Sequence, residues 1–369
     1  MIVTPIEGEG LRLRGYRPDD RDAVLASFTD PLTQRFMAGL PEPYTAQRAE
    51  WWINEGAPGT FTDGGAAYAI ADLETDAVLG GIGLDNVVPG RAQAEIGYWV
   101  VPSARGRGVA TRAVRALSEH AFSTGTARLE LITHWENVAS QRVALAAGYK
   151  RESARRQLLV DQAGARVDGL AFVRVAGDSG EPIEQLLPDL PGGELTDGVV
   201  TLCALGPEHF TFLDELHAVP DIIATSVPPL PRDPEDIRRR CAWAPAHWLN
   251  GTRADLIVVD TATGMPTGDL GLFYDEPQLG QAMIGYSMLP AWRGRGYMTR
   301  AVELLALWVF AETAIVRLIA GTLPENVSSQ RVLAKAGFKR EGYMRARLPD
   351  ANGRRVDDVQ FALLAEDLL

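Results

Sequence analysis

Two short phrases place arginine and glycine directly before a predicted helix: PSARGRGVATRAV at residues 102–114 and PAWRGRGYMTRAV at residues 290–302. Glycine lets the main chain approach a bulky group closely, and the free N–H groups at a helix N-terminus bind anions. The arginine side chains and the helix dipole add positive potential. The spacing therefore predicts a cradle for a diphosphate group in each half of the chain.

Other phosphate-binding and nucleic-acid-binding motifs fit these phrases poorly. A Rossmann loop has a third glycine and an acidic residue about 20 positions later, and a P-loop continues with Gly-Lys-Ser/Thr. An arginine-glycine segment that binds nucleic acid is longer and disordered. A tight turn that merely uses glycine is the remaining alternative, but both phrases keep both arginines. We therefore interpret the phrases as anion-binding loops.

The two phrases belong to a longer internal repeat. AEIGYWVVPSARGRG matches AMIGYSMLPAWRGRG, and ENVASQRVALAAGYKRES matches ENVSSQRVLAKAGFKREG, in the same order. Arg293 lies 188 residues after Arg105, and Asn326 lies 189 residues after Asn137. Ordered matches of this length predict that one fold occurs twice in the chain.

A segment of different composition, residues 176–197, separates the two copies. It mixes proline, glycine and acidic residues without helical or alternating periodicity, which is typical of a linker. A chain of 369 residues also exceeds the size at which one hydrophobic core stops growing. We therefore predict a first domain over residues 1–175, a linker over 176–197 and a second domain over 198–369.

Strands and helices alternate within each copy. For the first copy the predicted strands are 11–16, 66–73, 77–85, 95–101, 128–134 and 169–175, and the predicted helices are 19–29, 111–122 and 140–148. Ala113, Val114, Leu117 and Ala121 fall on one face of the second helix, and Gly148 is placed to end the third. The predicted fold class is α/β, a mixed sheet with helices on both sides.

Charge and composition exclude several classes of partner. The net charge is −12, and half of the acidic excess falls in the linker, so neither copy has the basic excess that binds nucleic acid. No apolar run approaches the roughly 20 residues of a membrane span. The start MIVTPIEGEG lacks the basic region of a secretory signal. We expect a cytoplasmic protein without nucleic-acid or membrane partners.

These motifs resemble those of the GNAT N-acetyltransferases, in particular the ribosomal-protein (Rim-type) branch. RGRGVA at residues 105–110 matches the Q/R-x-x-G-x-G/A signature of that family, and IGYWVVP, ENVASQRV and AGYKRES stand in the family's order. The resemblance covers nearly all of residues 10–175 and again 199–369. In the second copy Met298 replaces the final Gly/Ala of the signature, and Arg112 and Arg300 stand where the branch commonly has Glu.

The resemblance implies two tandem GNAT folds, each a mostly antiparallel sheet with a splayed pair of parallel strands and flanking helices. It also implies acetyl-CoA as the cofactor, with its diphosphate in the loops and its pantetheine arm in the gap between the splayed strands. In the family a bulge in the strand before the loop directs a main-chain N–H toward the thioester oxygen. The cofactor-binding residues it implies are Val100, Val101, Arg105, Gly106, Arg107, Gly108, Val109, Ala110, Thr111 and Asn137 in the first copy, and Met288, Leu289, Arg293, Gly294, Arg295, Gly296, Tyr297, Met298, Thr299 and Asn326 in the second.

Acetyl transfer to an amine also requires a proton acceptor. An amine attacks a thioester only when it is neutral, and the pKa of a lysine-like ammonium is about 10.4. Glu95 lies just before IGYWVV, on the strand that would flank the acetyl group, and is the candidate base; a solvated strand residue is the alternative. Its counterpart, Met283, cannot accept a proton. With Glu95 as the base, only the first copy is equipped by this route.

Hydroxyl groups are candidate proton donors to the leaving thiolate. The resemblance places Asn137 with Ser140, and Asn326 with Ser329, beside the pantetheine arm, and each serine is the candidate donor. Each asparagine is equally suited to cap a helix. His134, near the proposed acetyl site, is the one histidine kept as a candidate. Side chains for which core packing competes with a functional role are Tyr98, Tyr286, Tyr149, Trp51, Trp52, Trp243 and Trp248.

The predicted activity is direct transfer of an acetyl group from acetyl-CoA to a primary amine, either a peptide N-terminus or a small-molecule amine. The alternative is that one domain, the second rather than the first, or both bind acyl-CoA without turnover as a structural or sensory module. Met283 and Met298 motivate that alternative. Two such domains in one chain resemble the dimers of single-domain relatives, so we expect an intrachain pseudo-dimer, with a further homodimer left open.

Overall fold

Each half of the chain forms its own eight-stranded sheet in the computed structural model, which describes residues 3–37 and 39–368. Two compact units meet between Glu184 and Gln185. That division falls inside the predicted linker, residues 176–197. On the second-unit side, Leu187 and Leu190 are buried in a hydrophobic core. Part of the predicted linker therefore packs as core of the second unit.

The first sheet is mixed and mostly antiparallel. Its strands are β1 Ile6–Gly8, β2 Leu11–Arg14, β3 Ala66–Asp72, β4 Val78–Val88, β5 Gln93–Val100, β6 Arg128–His134, β7 Lys150–Val160 and β8 Arg166–Val175. They lie in the order β1-β2-β3-β4-β5-β6-β8-β7. Only β5 and β6 run parallel among the paired strands of the described residues.

Six α-helices and one π-helical turn connect these strands. The helices are α1 Arg21–Phe28, α2 Pro31–Phe36, α3 Ala46–Trp51, α4 Ala57–Thr62, α5 Val109–Ser123 and α6 Val138–Ala146, and the π-helical turn, Trp52–Gly56, joins α3 to α4. The helix α5 forms because its apolar residues recur at helical spacing, and all four residues predicted to share a face, Ala113, Val114, Leu117 and Ala121, are buried.

The second unit repeats the first. Its strands are β9 Glu194–Thr196, β10 Val200–Ala204, β11 Arg253–Asp260, β12 Pro266–Glu276, β13 Gln281–Met288, β14 Arg317–Thr322, β15 Lys339–Pro349 and β16 Arg355–Leu364. Its helices are α7 Phe210–His217, α8 Pro220–Thr225, α9 Pro234–Leu249, α10 Tyr297–Glu312 and α11 Val327–Lys335. The sheet order is β15-β16-β14-β13-β12-β11-β10-β9, and β13 and β14 are the parallel pair.

Helices cover both faces of the sheet. Alternate residues of a strand point to opposite faces. In β11, Leu256 and Val258 belong to the core that contains Leu305 of α10, whereas Ile257 belongs to the core that contains Leu213 of α7. The predicted fold class, a mixed sheet with helices on both sides, is confirmed.

Glycine ends the helix after each parallel strand pair, as predicted for Gly148. Gly148 has a φ of 80°, and its N–H donates to the carbonyl of Leu145 while the N–H of Tyr149 donates to Ala144. This is the Schellman arrangement, which needs a left-handed residue at that position. Gly337, with a φ of 90°, occupies the same place in the second unit. The turn buries Tyr149, whose hydroxyl lies 2.7 Å from that of Ser118, so Tyr149 serves packing.

The sequence patterns of the first copy missed two strands, the three-residue β1 and the longer β7. The counterpart of β7 in the second unit is β15. Both lie at an edge of their sheet and are mostly exposed. An edge strand carries charged residues on both faces and so lacks the alternation that marks a strand in a sequence. Both strands also contain a register shift at a residue with positive φ, Gln157 or Ala346.

None of the helices in residues 3–37 and 39–368 combines the length and the apolar character needed to cross a bilayer.

Candidate active site

Both arginine-glycine phrases form loops at a helix N-terminus. Gly106 and Gly108 have φ values of 72° and 70°, and Gly294 and Gly296 have values of 75° and 82°. Side chains other than glycine rarely adopt this left-handed conformation. The second glycine of each pair is the N-cap of α5 or α10, and no side chain caps either helix. Each loop therefore presents main chain, not side chain, at the helix N-terminus.

The N–H groups of the first loop are free to bind a ligand. The N–H of Arg112 donates to the carbonyl of Gly108, which is the first hydrogen bond of α5, so the preceding amides of its first turn have no helical acceptor. Within the described residues, the amides of Gly106 and Arg107 also find no acceptor. The second loop has the same arrangement, starting with the bond from Arg300 to Gly296. Each loop is thus an anion cradle of unpaired main-chain amides.

The space above each cradle is open. A Cβ atom built on Gly106, Gly108, Gly294 or Gly296 meets no described atom within 4 Å. A side chain at these positions would therefore occupy the ligand space instead of clashing with the protein. The loops fit the diphosphate group that the sequence predicts for them.

The first arginine of each phrase is held by a carboxylate of a short neighbouring helix. Arg105 donates to Asp30 at 2.5 Å and to the hydroxyl of Thr33 at 2.9 Å. Arg293 donates to Asp221 at 3.1 Å and to the carbonyl of Met288 at 3.0 Å. The hydrogen bond from Arg105 is the main reason that the pKa of Asp30 is lowered. These arginines fasten the loop to the helical layer, whereas the second arginine of the first phrase, at 107, is exposed.

Met298, the departure from the family signature, leaves the second cradle intact. Its side chain is 5% exposed and belongs to the core of the second unit, as the side chain of Ala110 is buried in the first. The replacement therefore changes core volume beneath α10. The main-chain N–H at this position still lies in the first turn of the helix.

The parallel strands beside each loop part from one another. β5 and β6 pair only at Gln93–Arg128, Ala94–Leu129 and Glu95–Glu130. β13 and β14 pair only at three positions as well, the last being Met283–Ile319. Beyond these pairs a gap opens between the strands, toward the anion-binding loop. The splayed strand pair expected in each sheet is therefore present.

Alternation along β5 decides which of its N–H groups face the gap. The N–H of Val101 donates to the carbonyl of Leu79 on β4 at 2.9 Å. Because neighbouring residues of a strand direct their amides to opposite sides, the amides of Tyr98 and Val100 point away from β4 and into the gap. The predicted donor pair is therefore corrected: Val100 is directed toward the gap, and Val101 is already bonded.

The same correction applies to the second unit. The N–H of Leu289 donates to the carbonyl of Thr267 at 3.0 Å, which leaves the amides of Tyr286 and Met288 directed into the gap. Sequence reasoning considered the two tyrosines for their hydroxyls only and missed their amides. Every second residue of a strand directs its amide to the same side. Counting back along the strand from the bonded residue therefore identifies the amides that face the gap.

The bulge lies on a different strand from the one predicted. β5 pairs with β4 in unbroken register from Glu95 to Val100. The irregularity falls between Asp85 and Val88, where two residues of β4 face one residue of β5, and Asn86 there has a φ of 47°. β5 thus stays with β4 while β6 turns away, and the expectation of a bulge in β5 is wrong.

A pair of hydroxyl groups bridges the gap in both units. Tyr98 donates to the hydroxyl of Ser140 on α6 at 3.0 Å, and the hydroxyls of Tyr286 and Ser329 lie 2.8 Å apart. Burial raises the pKa of Tyr98 above its ordinary value and raises the pKa of Tyr286 to about 12. Both phenols therefore remain protonated at neutral pH.

The two asparagines of the repeat cap helices. The side-chain oxygen of Asn137 accepts a hydrogen bond from the N–H of Ser140 at 3.1 Å, and Asn326 does the same for Ser329. An asparagine at this position satisfies one of the free amides of the first turn. Each asparagine thereby fixes the serine that faces its tyrosine.

Glu95 lies at the point where β5 and β6 begin to part. It is half-buried and is the cross-strand partner of Asp85 on β4. It accepts a hydrogen bond from the side chain of Asn86 at 2.9 Å. Burial, together with the charges of Glu130 and Asp85, raises the pKa of Glu95 above its ordinary value, although Asn86 lowers it in part. A carboxylate with a raised pKa is a better proton acceptor than an ordinary one.

The pKa of the neighbouring carboxylate, Glu130 on β6, is shifted in the opposite direction. Burial alone would raise its pKa, but hydrogen bonds from Arg155 and Arg128 lower it below the ordinary value. Both of its oxygens accept bonds from these arginines. The pKa values of these two adjacent carboxylates are therefore shifted in opposite directions, and Glu95 is the one whose pKa is raised.

Apolar residues replace this carboxylate pair in the second unit. Phe273 and Met283 pair across β12 and β13, where the first unit has Asp85 and Glu95. Met283 is 37% exposed. Neither side chain accepts a proton, so the second unit lacks a base at this place.

An open cleft lies beside Glu95, between β4 and the segment that runs from α3 to α4. Its aromatic and polar lining residues are Trp51, Glu55, Thr60, Asp63, Asp85 and Asn86. No described lining residue is basic. Trp51 thus lines a cleft as the resemblance implies, whereas Trp248 is buried in the core of the second unit and donates to the carbonyl of Pro188.

Comparison with known families gives a match in both units. The Acetyltransferase (GNAT) domain family matches residues 10–150 and 200–339, which together cover most of the chain. The two matches contain the two loops, the two splayed strand pairs and the two hydroxyl pairs.

Similar curated proteins are bacterial N-acetyltransferases. The probable N-acetyltransferase YjcK of Bacillus subtilis is 42% identical over 86 residues, which are 23% of this chain and 47% of that protein. The ribosomal protein uS5-alanine N-acetyltransferase of Escherichia coli is 33% identical over 84 residues, 23% of this chain and 43% of that protein. The chain thus spans about half the length of these relatives.

A solved structure of similar fold is described as a putative ribosomal-protein-serine acetyltransferase from Vibrio cholerae. It is 22% identical, with a TM-score of 0.41, and the match covers 47% of this chain and 99% of that one. The family match in both halves is the finding that decides membership. The chain belongs to the GNAT acetyltransferases, a family of acyltransferases that use acetyl-CoA, and it carries two domains of that family in tandem.

Proposed function

We propose that the chain transfers an acetyl group from acetyl-CoA to a primary amine, with the first unit as a complete transfer site. The observation that carries the proposal is the position of Glu95. It is a carboxylate of raised pKa at the opening of the gap, with two unpaired main-chain amides of the same strand beyond it. When bound, acetyl-CoA supplies the acetyl group in activated form as a thioester.

Main-chain groups bind and orient the donor. The amides of residues 106–111 receive the diphosphate, and the gap between β5 and β6 admits the pantetheine arm. The amides of Tyr98 and Val100, directed into the gap, would stabilise negative charge on a thioester oxygen held there. The open space above Gly106 and Gly108 and the free amides of the loop support this fit.

Two side-chain systems move the protons. Glu95 takes a proton from the incoming ammonium, so that the neutral amine attacks the thioester carbonyl. On the other side of the gap, the hydroxyls of Ser140 and Tyr98 deliver a proton to the leaving thiolate. Both phenol and serine are protonated at neutral pH, which suits a donor.

The acceptor is a peptide N-terminus or a small-molecule amine. The acidic lining of the cleft beside Glu95, with Glu55, Asp63 and Asp85 and no described basic residue, supports an acceptor that arrives as a cation. Relatives named for ribosomal-protein acetylation support the peptide alternative. A panel that contains both kinds of amine is therefore required.

A second candidate function applies to the second unit alone: it binds acyl-CoA without turnover. The observation in its favour is the apolar pair of Phe273 and Met283 in place of Asp85 and Glu95. Its loop and its hydroxyl pair, Tyr286 with Ser329, retain the features that bind the donor.

The test is a thiol-release assay on the first unit in the intact chain. The second site is blocked by Gly296→Trp, and acetyl-CoA is offered with peptides that begin with alanine or serine, with lysine and with spermidine. Glu95→Gln lowers the rate about 100-fold, a typical effect of removing a general base, while calorimetry finds the same affinity for acetyl-CoA.

The matched control is Glu74→Gln, the same change at an exposed turn residue, and it leaves the rate unchanged. An unchanged rate in Glu95→Gln would mean that a group other than Glu95 accepts the proton from the ammonium. Tight binding of acetyl-CoA without turnover of any amine by the otherwise unchanged chain contradicts the proposed transfer itself.

A further inference from the structure

A buried carboxylate lies on the opposite side of the gap in the second unit. Asp358, on β16, is fully buried. A Cβ atom built on Gly321 of β14 would lie 2.8 Å from both of its carboxylate oxygens, so the carboxylate covers this glycine. Gly321 lies two residues beyond Ile319, the last residue of β14 that pairs with β13. The carboxylate therefore lies where the two strands begin to part.

Strand register places this carboxylate on the same face of the sheet as Met283. Met283 pairs with Ile319, and Gly321 pairs with Gln360. Residues two apart on a strand share a face, so Gly321 and Asp358 share the face of Met283. Gly321, which the carboxylate covers, lies two residues, about 7 Å, along β14 from Ile319, the partner of Met283. Asp358 thus lies on the face of the second sheet that corresponds to the face of Glu95 in the first.

One oxygen of Asp358 is without a partner. Arg347 and Gln360 both donate to its Oδ2 atom. Among the described residues no donor lies within hydrogen-bond distance of the buried Oδ1 atom. A buried acceptor without a partner costs free energy unless a ligand satisfies it. Glu130 of the first unit differs in this respect, because both of its oxygens are bonded to arginines.

The first unit has a different residue at the positions of Gly321, Asp358 and Arg347. Ile132 stands in place of Gly321, Gly169 in place of Asp358 and Leu158 in place of Arg347. A Cβ atom on Gly169 would lie 3.3 Å from the side chain of Ile132, so the bulky residue and the glycine have exchanged strands. The register shift that β15 shares with β7 brings residue 347 beside Asp358, and only the second unit has an arginine there. The three differences are therefore coupled.

We propose that Asp358 is the proton acceptor of the second unit, which transfers an acetyl group to an amine with its base on the opposite side of the gap from Glu95. The inference rests on the proposed function and extends it to the second unit. It replaces binding without turnover as the role of that unit.

The step balances with the groups present. Asp358 takes one proton from the ammonium and releases it to solvent. The neutral amine nitrogen forms a bond to the thioester carbon, and the carbon–sulfur bond breaks. The thiolate receives a proton from the hydroxyl pair of Tyr286 and Ser329, and the second proton of the nitrogen returns to that pair, so that one proton is released overall. The products are an amide and the free thiol.

The test isolates the second unit with Gly108→Trp in the intact chain and uses acetyl-CoA with the same peptides, lysine and spermidine. Asp358→Asn lowers thiol release about 100-fold with the affinity for acetyl-CoA and the melting temperature unchanged. Adding Met283→Glu supplies a carboxylate at the position that Glu95 has in the first unit. We expect this second change to raise the rate at least about tenfold above that of Asp358→Asn alone. Glu366→Gln, at an exposed position near the end of the chain, is the control and changes nothing.

A volume-matched variant covers the case in which Asp358→Asn does not fold. Gly321→Ile, Arg347→Leu and Asp358→Gly together reproduce the packing of the first unit. We expect this variant to fold and to be inactive in the second unit until Met283→Glu is added.

Three results overturn the inference: an unchanged rate in Asp358→Asn, a loss that Met283→Glu does not restore, or no turnover by the Gly108→Trp chain while the Gly296→Trp chain turns over. In each of these the proposed function of the first unit stands. Inactivity of both single-site chains and of the unaltered chain overturns both proposals together.

Discussion

The two units share a donor site and differ in where they hold a carboxylate. Each has a loop with two left-handed glycines, a parted pair of parallel strands and a tyrosine–serine hydroxyl pair across the gap. In the first unit the carboxylate, Glu95, lies on the strand before the loop. In the second, Asp358 lies on the far side of the gap. On the proposed assignment, main chain specifies the donor site, whereas the base is supplied from a different side of the gap in each unit.

This division follows from the physical role of each part. A diphosphate is bound by amides of a loop and a helix N-terminus, and those amides exist only in one backbone geometry. A proton acceptor needs only a carboxylate within reach of the amine, and several strand positions meet that condition. The loop residues are therefore repeated almost letter for letter, and the carboxylates are not.

The largest expected effect comes from filling one cradle at a time. Gly108→Trp or Gly296→Trp places a side chain in open space, since a Cβ atom at either glycine would have no described atom within 4 Å. We expect each change to weaken acetyl-CoA binding at its own loop at least about 100-fold, or ~2.7 kcal/mol, and to leave the other loop unaffected. Calorimetry then counts one site instead of two. Loss of both sites from a single change would contradict the independence of the loops.

The next largest effect is expected when the carboxylate of the first unit is moved to the other side of the gap. In a chain with the second site blocked, Glu95→Met lowers the rate of the first unit about 100-fold. Adding Ile132→Gly, Leu158→Arg and Gly169→Asp gives the first unit the second unit's arrangement and recovers part of that rate. A thiol-release assay on the three chains is the measurement. Failure to recover any rate, with acetyl-CoA still bound, would show that the far side of the gap cannot supply a base in this unit.

The hydroxyl pairs test what the units have in common. Tyr98→Phe and Tyr286→Phe each remove one hydroxyl without changing the buried ring, and we expect a similar loss of about tenfold in both units, smaller than the loss of a base. The measurement is turnover in the chain with the other site blocked. A loss confined to one unit would break the equivalence of the two pairs.

A pH profile separates the units by a smaller effect. Burial raises the pKa of Glu95, and the hydrogen bond from Asn86 lowers it in part. The base works only when deprotonated, so the first unit's rate falls as pH falls through that pKa. Asn86→Gly tolerates the positive φ at this position and removes the hydrogen bond, so the acid limb of the profile moves to higher pH. The profile of the second unit stays unchanged; a parallel shift there would contradict the assignment.

The smallest effect is on stability. Asn137→Ala and Asn326→Ala each remove an N-cap hydrogen bond of 3.1 Å. Each change lowers the free energy of unfolding of its unit by about 1 kcal/mol. Chemical denaturation monitored separately for the two units measures the loss. A loss in one unit only would show that the caps are not equivalent.

Much of the fold could be predicted from the sequence because its signals are local. The apolar face of α5, the glycine that ends α6 and the order of the repeated motifs all depend on neighbouring residues. β7 was missed because an exposed edge strand, like its counterpart β15, carries charge without alternation. The bulge was placed on β5 instead of β4, because register between strands is not a local property.

The candidate site was predictable only where main chain or short spacing defines it. The loop glycines and the parted strands follow from the repeated phrases, and a period of two would have added the amides of Tyr98 and Tyr286. Asp358, the proposed base of the second unit, gives no local signal, because Gly321 and Arg347 are distant in sequence and meet it only across three strands. Coupled differences between the two copies are what identify it.

The most direct test of the central claim is a crystal structure of the intact chain with coenzyme A. The account predicts a diphosphate within hydrogen-bond distance of the amides at 106–110 in the first unit and 294–298 in the second, with both pantetheine arms between the parted strands. Loops without ligand in both units, with their amides bonded to the protein, would contradict it.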